Sequence, residues 1–253
     1  MGKLDSKVTI ITGGGRGIGY GLSRAFAAEG SNLVLTGRNP ETLNQAKEKL
    51  EQEFSIKVLT VAADGGDEAA VQHVIDEAVK TFGHIDVMVN NAQVSKSGVM
   101  LADHTKEDFD LAINSGLYAT FYYMRACYPH MKGRGGRIIN FASGAGLFGR
   151  PGQSSYAAAK EGIRGLSRVA ATEWGPDNIT VNVVCPLAMT EGLENWSKEY
   201  PELYKKTIQG IPLGHFADPE KDIGRVCTFL ASDDASYVTG ETITLQGGSG
   251  LRP

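Results

Sequence analysis

The chain has 253 residues, of which 42% are hydrophobic and 21% charged, and this is typical of one large globular α/β domain or two small ones. A net charge of −4 without a long basic run argues against nucleic-acid binding. No apolar stretch approaches the roughly 18 residues that span a bilayer, and the N-terminus has no signal-peptide pattern. The sequence therefore predicts a cytoplasmic protein that binds neither nucleic acid nor membranes.

Cysteine and histidine positions argue against a disulfide framework and against a metal site. The three cysteines, Cys127, Cys185 and Cys227, stand at unrelated spacings. The five histidines form no paired spacing with cysteines or carboxylates. We expect reduced cysteines and no bound metal.

Short apolar runs alternate with longer amphipathic runs along the chain, which is typical of strand–helix units around a parallel sheet. The predicted strands are Val8–Ile11, Asn32–Thr36, Lys57–Ala62, Ile85–Val89, Gly136–Phe141, Thr180–Val184 and Thr242–Leu245. The predicted helices are Ile18–Ala28, one that opens at Asn39–Pro40–Glu41, Asp67–Phe82, Lys106–Met131, Ser154–Trp174 and Pro219–Leu230. No linker divides the chain. We therefore predict a single α/β domain over residues 1–253 with a doubly wound, mostly parallel, seven-stranded Rossmann-like sheet.

The segment Leu187–Phe216 departs from this alternation. Its apolar residues recur at loosely helical spacing, namely Met189, Leu193, Trp196, Tyr200, Tyr204 and Ile208. Ligands bind outside the carboxyl ends of the strands in such sheets, so this insertion is interpreted as a small helical substrate lid. The alternative is a packed surface excursion.

A glycine-rich loop follows the first predicted strand and precedes the first helix. It contains Gly13, Gly14, Gly15, Arg16, Gly17, Ile18 and Gly19. Glycines let a backbone turn tightly and approach a pyrophosphate, whose charge the helix N-terminus stabilises. Such loops also serve only to pack a helix against a strand, but the position between strand and helix favours cofactor binding.

The end of the second strand indicates which dinucleotide is bound. An NAD site usually carries an acid there, which binds the ribose 2′-hydroxyl. Here the strand ends in Thr36, Gly37 and Arg38, and no acid is present. Arg38 and Arg16 could clamp a 2′-phosphate, because guanidinium matches phosphate geometry. NADP(H) is therefore favoured over NAD(H), with a solvated loop charge as the other interpretation of Arg38.

Tyr156 and Lys160 lie one turn apart on a predicted helix and share one face. A second pair with the same spacing, Tyr128 and Lys132, occurs in another helix. Ser143 lies just past a predicted strand, 13 residues before Tyr156, at the edge of the sheet where ligands bind. No such strand and hydroxyl precede Tyr128, which is interpreted as structural.

With these motifs in order, the sequence resembles the short-chain dehydrogenase/reductase family nearly end to end. The matching residues are Thr12, Gly13, Gly17, Gly19, Asp64, Asn90, Asn91, Ala92, Asn114, Ser143, Tyr156, Lys160, Pro186, Thr190, Gly247 and Gly248. The resemblance implies a Rossmann-like oxidoreductase that forms a homodimer or homotetramer through its long central helices.

The resemblance implies catalytic roles for Tyr156, Lys160, Ser143 and Asn114. Tyr156 would exchange a proton with the substrate oxygen, Ser143 would hold that oxygen, and Lys160 would bind the nicotinamide ribose. A nearby ammonium favours the phenolate, so we expect Lys160 to lower the pKa of Tyr156. Asn114 would position water that relays protons towards Lys160, or would instead make a local backbone bond.

Further cofactor contacts are implied by the resemblance alone. Asp64 would meet the adenine edge, unless it is an ordinary solvated loop acid, and Asn90 would brace the sheet edge or the ribose. Thr190 would touch the carboxamide. The remaining cofactor residues by this analogy are Gly15, Ile18, Asn91, Ala92 and Pro186.

Two positions depart from the family pattern, because Gln93 and Leu187 stand where the family usually has glycine. Glycine leaves space for a ligand at such places. We expect Gln93 to offer the substrate a hydrogen bond and Leu187 to narrow an apolar wall formed with Leu147, Phe148, Met189 and Trp196. The alternative is that both side chains point away from the pocket. Gln246 stands where an acid is common, with no functional interpretation.

The sequence thus predicts an NADP(H)-dependent oxidoreductase acting on a ketone or secondary alcohol. It does not identify the substrate, for which a ring ketone such as a steroid, polyphenol or sugar derivative is one candidate that suits the aromatic segment Leu187–Phe216. A second possibility is reduction of 3-oxoacyl thioesters, which needs a basic patch for an acidic carrier protein. Arg134, Arg137 and Arg168 are available for such a patch. The same fold would also suit a non-catalytic nucleotide-sensing regulator, which need not retain Tyr156 and Lys160, or a Rossmann-type methyltransferase.

Overall fold

The computed structural model describes residues 2–250. Its strands form one parallel sheet in the order β3-β2-β1-β4-β5-β6-β7. The strands are β1 (Val8–Thr12), β2 (Asn32–Gly37), β3 (Val58–Ala62), β4 (Val87–Asn90), β5 (Gly136–Phe141), β6 (Ile179–Pro186) and β7 (Thr242–Leu245). This confirms the predicted seven-stranded, doubly wound α/β fold.

Helices cover both faces of the sheet. They are α1 (Gly17–Ala28), α2 (Pro40–Glu53), α3 (Glu68–Phe82), α4 (Lys106–Ala112), α5 (Ala119–Met131), α6 (Gly144–Phe148), α7 (Ser154–Trp174), α8 (Glu191–Glu199), α9 (Pro201–Gln209) and α10 (Arg225–Ala231). Short 3₁₀ turns occur at Leu101–Asp103, Gly175–Asp177 and Asp233–Ala235.

The central strands are apolar because they are buried on both faces, whereas the edge strands β3 and β7 are only partly buried. In β1 every residue is buried, and successive side chains enter opposite halves of the core. Ile11 packs among residues of α1, α2 and α10, whereas Ile10 packs among residues of α3, α5 and α7. The sheet is therefore the central layer between two sets of helices.

Local sequence signals set the starts of α2 and α3 as predicted. Asn39 caps α2 by accepting a hydrogen bond from the Thr42 amide at 3.1 Å, with Pro40 at the first helical position. Asp67 caps α3 by accepting from the Ala69 amide at 2.9 Å. α3 then ends at Phe82, as predicted.

The predicted helix Lys106–Met131 is not regular throughout. A π-helical turn over Ile113–Tyr118 separates α4 from α5. A second π turn, Pro219–Gly224, replaces the first half of the predicted helix Pro219–Leu230. π turns add a residue to a helix and are frequent at functional sites. The helix α6 was not predicted, because a five-residue, glycine-containing segment carries no helical periodicity.

The predicted lid consists of the two short helices α8 and α9. No residue within either helix is buried. Their aromatic residues contact neighbours nearby: the Trp196 and Tyr200 ring centroids lie 6.3 Å apart, and Tyr204 stacks on Phe216 at 6.0 Å. α8 and α9 thus lie on the surface, whereas the flanking residues Ala188, Ile211 and Phe216 of the same segment are buried.

Residues 2–250 contain neither a membrane-spanning helix nor a metal cluster. None of the helices there combines the length and hydropathy that a bilayer-spanning helix needs. Within the same residues, no group of three His, Cys, Asp or Glu side chains is arranged to hold a metal ion.

Candidate active site

A large cleft opens where the strand order reverses, between β1 and β4. Its volume of 1110 Å³ is slightly above the usual range of small-molecule sites, and it is bordered by the carboxyl ends of β1, β2, β3 and β4 and by the start of α8. Its lining includes Gly13, Gly15, Arg16, Gly17, Ile18, Gly19, Arg38, Asp64, Asn91, Ala92, Gln93, Asn114 and Thr190. The structure thus brings most of the predicted cofactor residues to one place.

The glycine-rich loop has the shape of a phosphate cradle. Gly13 and Gly17 adopt positive φ values of 68° and 54°, which favour glycine. A Cβ on Gly19 would lie 2.1 Å from the Gly13 carbonyl oxygen, so only glycine allows this close turn. Among the described side chains, none caps the start of α1, whose amide groups remain available for an anion. The loop therefore fits a dinucleotide pyrophosphate.

Thr12 holds the two halves of this cleft together. Its hydroxyl accepts hydrogen bonds from the Asn91 amide at 2.9 Å and the Ala92 amide at 3.0 Å. The Asn91 side chain in turn donates to the Thr12 carbonyl at 3.0 Å. Asn91 therefore braces the ends of β1 and β4. Asn90 braces β4 against β5, since its amide donates to the Asn140 side chain at 2.8 Å.

The far end of the cleft carries two exposed arginines. Arg16 and Arg38 both line it, and no acid follows β2. Asp64, which also lines the cleft, accepts a hydrogen bond from the Gly66 amide at 2.9 Å within its own turn. One carboxylate oxygen of Asp64 thus stabilises the loop after β3.

Ser143, Tyr156 and Lys160 meet at the carboxyl end of β5. They are not among the residues that line the cleft, but β5 lies between β4 and β6, which lead directly into the Asn91 and Thr190 segments of its wall. Ser143 caps α6, accepting from the Ala145 amide at 3.1 Å, and its hydroxyl also hydrogen bonds to Tyr156.

Lys160 is anchored beneath Tyr156. Its Nζ donates to the carbonyl oxygen of Phe141, the last residue of β5, at 2.6 Å, and it lies 5.5 Å from the centroid of the Tyr156 ring. Lys160 is only 3% exposed, whereas Tyr156 is half-buried. The pair shares one face of α7, as the spacing predicts.

Burial governs the pKa of both side chains. Desolvation lowers the pKa of Lys160 to about 7. Burial also raises the pKa of Tyr156, and the hydrogen bond from Ser143 opposes this rise. The expectation that Lys160 lowers the pKa of Tyr156 is therefore wrong for the protein alone, because the same low-polarity surroundings that hold the phenol also disfavour the charge on the amine.

Asn114 lies in the π turn between α4 and α5 and lines the cleft. Two side chains satisfy carbonyl groups at the end of α4, immediately before this turn. Gln93 Nε2 donates to the Ala112 carbonyl at 3.3 Å, and the Ser115 hydroxyl donates to the Leu111 carbonyl at 2.6 Å. The amide of Gln93 therefore lies against the helix that carries Asn114, although the residue lines the cleft.

Of the other predicted site residues, Thr190, Met189 and Trp196 belong to the segment Leu187–Phe216, whereas Phe148 is the last residue of α6. Thr190 caps α8 by accepting from the Leu193 amide at 3.3 Å, and Met189 lines a second, smaller cleft of 630 Å³ with Phe216. Phe148 is 54% exposed and Trp196 is half-buried.

Two expected wall residues are held by the sheet. Leu187 follows the last residue of β6, Pro186, and both residues are half-buried. The Leu187 amide donates a hydrogen bond to the Leu245 carbonyl, and its carbonyl accepts one from the Ala217 amide. Leu147 packs against Val183 and Cys185, so it faces the sheet and not the expected apolar wall. The physical reason is that α6 turns Leu147 inward.

Two contacts escaped the sequence analysis. His104 Nε2 lies 2.9 Å from the Ser155 hydroxyl, although no spacing links these residues. Gln246 is buried, donates to the Cys185 carbonyl at 3.4 Å and packs against Gly144. Gln246 thus supports α6, the helix that Ser143 begins.

The second tyrosine–lysine pair is structural, as predicted. Tyr128 donates a hydrogen bond to Asp177 at 2.8 Å and stacks on Trp174 with centroids 4.8 Å apart. Neither Tyr128 nor Lys132 lines the cleft.

The fold and these residues define a nicotinamide-dependent type of oxidoreductase, and the chain belongs to the short-chain dehydrogenase/reductase family. A family model described as enoyl-(acyl carrier protein) reductase matches residues 13–249.

Curated relatives match all or nearly all of the chain. A 12alpha-hydroxysteroid dehydrogenase from Clostridium sp. (strain ATCC 29733 / VPI C48-50) is 61% identical over 259 residues, covering 100% of both chains. A 3-oxoacyl-(acyl-carrier-protein) reductase from Thermotoga maritima is 37% identical, covering 97% of this chain and 98% of its own.

Solved structures show the same fold. Levodione reductase superposes with a TM-score of 0.92 at 33% identity, covering 98% of each chain. NAD+-bound xylitol dehydrogenase superposes with a TM-score of 0.90 at 28% identity, covering 97% of this chain and 100% of its own.

Proposed function

We propose that this protein is an NADP(H)-dependent hydroxysteroid dehydrogenase that interconverts a ring hydroxyl and a ring ketone. The observation that carries the proposal is the cluster of Ser143, Tyr156 and Lys160 at the end of β5, beside a cleft with a glycine-rich phosphate cradle. The relative that is 61% identical is a 12alpha-hydroxysteroid dehydrogenase, which supports the steroid as substrate class.

In this proposal the nicotinamide, when bound, supplies or accepts the hydride, and the chain's own residues handle the proton. Tyr156 donates its phenolic proton to the carbonyl oxygen during reduction and takes it back during oxidation. Ser143 donates a hydrogen bond to the same substrate oxygen. Since Lys160 Nζ is fixed by Phe141, its remaining N–H groups can hold the ribose and stabilise the phenolate. Asn114 borders the route by which water returns protons to Lys160.

The preference for NADP(H) rests on Arg38 and Arg16. Both side chains are exposed at the cleft beyond β2, at the end where the 2′-phosphate of the adenosine ribose would lie. A negative side chain that would repel this phosphate is missing from the end of β2. Two guanidinium groups would add charge-assisted hydrogen bonds that NAD(H) cannot form.

The lid suits a large apolar ring system. Trp196 and Tyr204 are half-buried, and Tyr200 and Leu203 are exposed, on two amphipathic helices with no buried residue. A rigid steroid gains affinity by removing such apolar surface from water, at roughly 25 cal/mol per Å². Gln93, Leu187, Met189 and Phe148 remain the proposed pocket residues beside the reacting carbon.

Reduction of 3-oxoacyl thioesters is the weaker candidate. Of the three arginines available for a carrier-protein patch, Arg137 is buried, donates to the Gly136 carbonyl at 3.0 Å and pairs with Asp233 at 3.4 Å. Arg134 and Arg168 alone are exposed. A regulator without catalysis would have no need of the Ser143–Tyr156–Lys160 cluster.

Exposed apolar residues on α4, on the π turn before α5 and on α7 support a homodimer or homotetramer. Phe109 is exposed in the middle of α4, Tyr118 immediately precedes α5, and Val169 lies on α7. Sedimentation velocity of the purified protein tests this part of the proposal.

The test is a panel of steroids with hydroxyl groups at single defined positions, assayed with NADP+ and NAD+ by absorbance of the reduced nicotinamide. We expect NADP+-dependent oxidation at one ring position. Tyr156→Phe should lose at least about a hundredfold in kcat, because the proton donor is removed. Tyr128→Phe is the matched control, since it removes the same hydroxyl from the structural pair and should retain kcat. Normal turnover by Tyr156→Phe, or no oxidation of any steroid, would contradict the proposal.

A further inference from the structure

The first turn of α7 lacks an ordinary helix cap. Ser154, Ser155 and Tyr156 are the first three residues of the helix, and Gln153 occupies the N-cap position. The side chain of Gln153 accepts no hydrogen bond from the first amide groups of α7, so it does not cap the helix. Helix ends without caps fray readily, because their first amide groups have no intrahelical partner. Tyr156 therefore stands in the part of α7 that most needs support from outside the helix.

His104, in the loop between β4 and α4, supplies that support. Its Nε2 lies 2.9 Å from the hydroxyl of Ser155, which is completely buried, and its Nδ1 lies 3.4 Å from the hydroxyl of Ser154. One imidazole thus contacts the two residues that precede Tyr156. A buried hydroxyl without a partner costs about 1–3 kcal/mol, so the bond to Ser155 is the stronger constraint.

The chain holds His104 at this place from both sides. Before it lies the 3₁₀ turn Leu101–Asp103, and after it Thr105 caps α4 by accepting from the Asp108 amide at 3.1 Å. The loop between β4 and α4 also contacts the residues just before α7, because the Gly98 amide donates a hydrogen bond to the Gly152 carbonyl at 2.8 Å. The loop between β4 and α4 is therefore joined to the start of α7 at two places.

We propose that His104 is a positioning residue for the reaction, which holds the first turn of α7 so that the Tyr156 hydroxyl meets the substrate oxygen. The inference rests on the proposed role of Tyr156 as proton donor. In this proposal His104 acts through the helix that carries Tyr156 and not by binding a ligand. Its effect should therefore fall on the chemical step, since a misplacement of about 1 Å can cost up to about a hundredfold in rate.

Substitution of His104 by glutamine or asparagine distinguishes the contributions of its two ring nitrogens. Glutamine places its terminal amide near the Nε2 position and can keep the contact with Ser155, whereas asparagine reaches only the Nδ1 position near Ser154. We expect His104→Ala and His104→Asn to lower kcat by about tenfold with little change in the KM for steroid or in the dissociation constant for NADPH. His104→Gln should restore most of kcat.

Ser155→Ala tests the same contact from the other partner. It should lower kcat about as much as His104→Ala, and the double variant should lose little more than either single variant, because both remove one interaction. If His104→Ala does not fold, Ser155→Ala carries the test. His73→Ala, at an exposed position on α3, is the matched histidine control and should behave as wild type.

The inference is overturned if His104→Ala retains kcat within about twofold of wild type while only its melting temperature falls. Rescue by asparagine as complete as rescue by glutamine would overturn it as well. Tyr156→Phe is assayed in parallel. Normal turnover of Tyr156→Phe would contradict the proposed function. Loss of turnover in Tyr156→Phe together with full activity of His104→Ala would contradict only the role of His104.

Discussion

The amine of Lys160 lies 5.5 Å from the centre of the Tyr156 ring, one helical turn away on α7. A charged amine at this distance would stabilise the phenolate, but Lys160 is 3% exposed and burial lowers its pKa to about 7. Near neutral pH the amine is therefore charged in only part of the molecules.

The low pKa of Lys160 should appear as a pH-dependent stability of the protein without cofactor. Between about pH 7 and pH 10.5 the unfolded chain binds a proton on residue 160 that the folded chain lacks, so the free energy of unfolding rises with pH there. Lys160→Met removes this contribution. We expect Lys160→Met to be stabilised relative to wild type by about 2 kcal/mol more at pH 7 than at pH 9.

Urea unfolding at the two pH values measures this difference. Lys132→Met is the control, because the pKa of the exposed Lys132 is raised and residue 132 stays protonated in both states over this range. A difference between Lys160→Met and wild type that does not change with pH would refute the prediction.

The raised pKa of Tyr156 should separate the pH profiles of the two reaction directions. Oxidation needs the phenolate as base, so kcat/KM for the steroid alcohol should rise with pH, by up to about tenfold per unit below the pKa of Tyr156. Reduction needs the protonated phenol and should stay level over the same range. Initial rates from pH 6 to pH 10 in both directions measure this.

Ser143→Ala refines the test. Burial raises the pKa of Tyr156 and the Ser143 hydrogen bond opposes this, so removing the hydroxyl should move the rise of the oxidation rate to higher pH. An oxidation rate independent of pH in wild type would exclude Tyr156 as the titrating base.

Local patterns were sufficient to predict most of the fold. β5 (Gly136–Phe141), β7 (Thr242–Leu245) and α7 (Ser154–Trp174) have the predicted bounds, because each is a single apolar or amphipathic run between clear breakers. The π turn Ile113–Tyr118 could not be predicted, since side chains distant in sequence stabilise it. One of them, Gln93, comes from the loop after β4.

The candidate site was predictable to the extent that residue types and order define it. The positions of Ser143, Tyr156 and Lys160 follow from strand and helix ends. Their protonation does not, because burial is a property of the assembled fold and reverses the expected shift of Tyr156. The support from His104 was equally invisible, since its partner Ser155 is 51 residues away.

Arg38 should decide the cofactor preference. Arg38→Ser removes a guanidinium from the cleft beyond β2, and we expect the dissociation constant for NADPH to rise by about tenfold to a hundredfold, with NADH binding almost unchanged. Calorimetric titration with both cofactors measures this. Arg134→Ser, at an exposed position outside the cleft, is the control for general charge loss. Tighter binding of NADH than NADPH by wild type would contradict the assignment.

Gln93 should influence which ketone is accepted. Its Nε2 is held by the Ala112 carbonyl, and its amide lies so close to Gly116 that a Cβ there would meet Cδ at 2.5 Å. Among the described residues, none pairs with the buried Oε1. Gln93→Gly opens this part of the wall and frees the Ala112 carbonyl, so we expect the relative kcat/KM values across a ketone panel to change by about threefold to tenfold.

NADPH affinity should change little in Gln93→Gly, because the phosphate cradle and Arg38 lie at the other end of the cleft. Gly116→Ala gives a matched test, since it displaces the Gln93 amide without removing it and should shift the same preferences. Because both variants act on one contact, their effects should not add. Identical relative rates for wild type and Gln93→Gly across the panel would show that the amide serves only to complete the π turn.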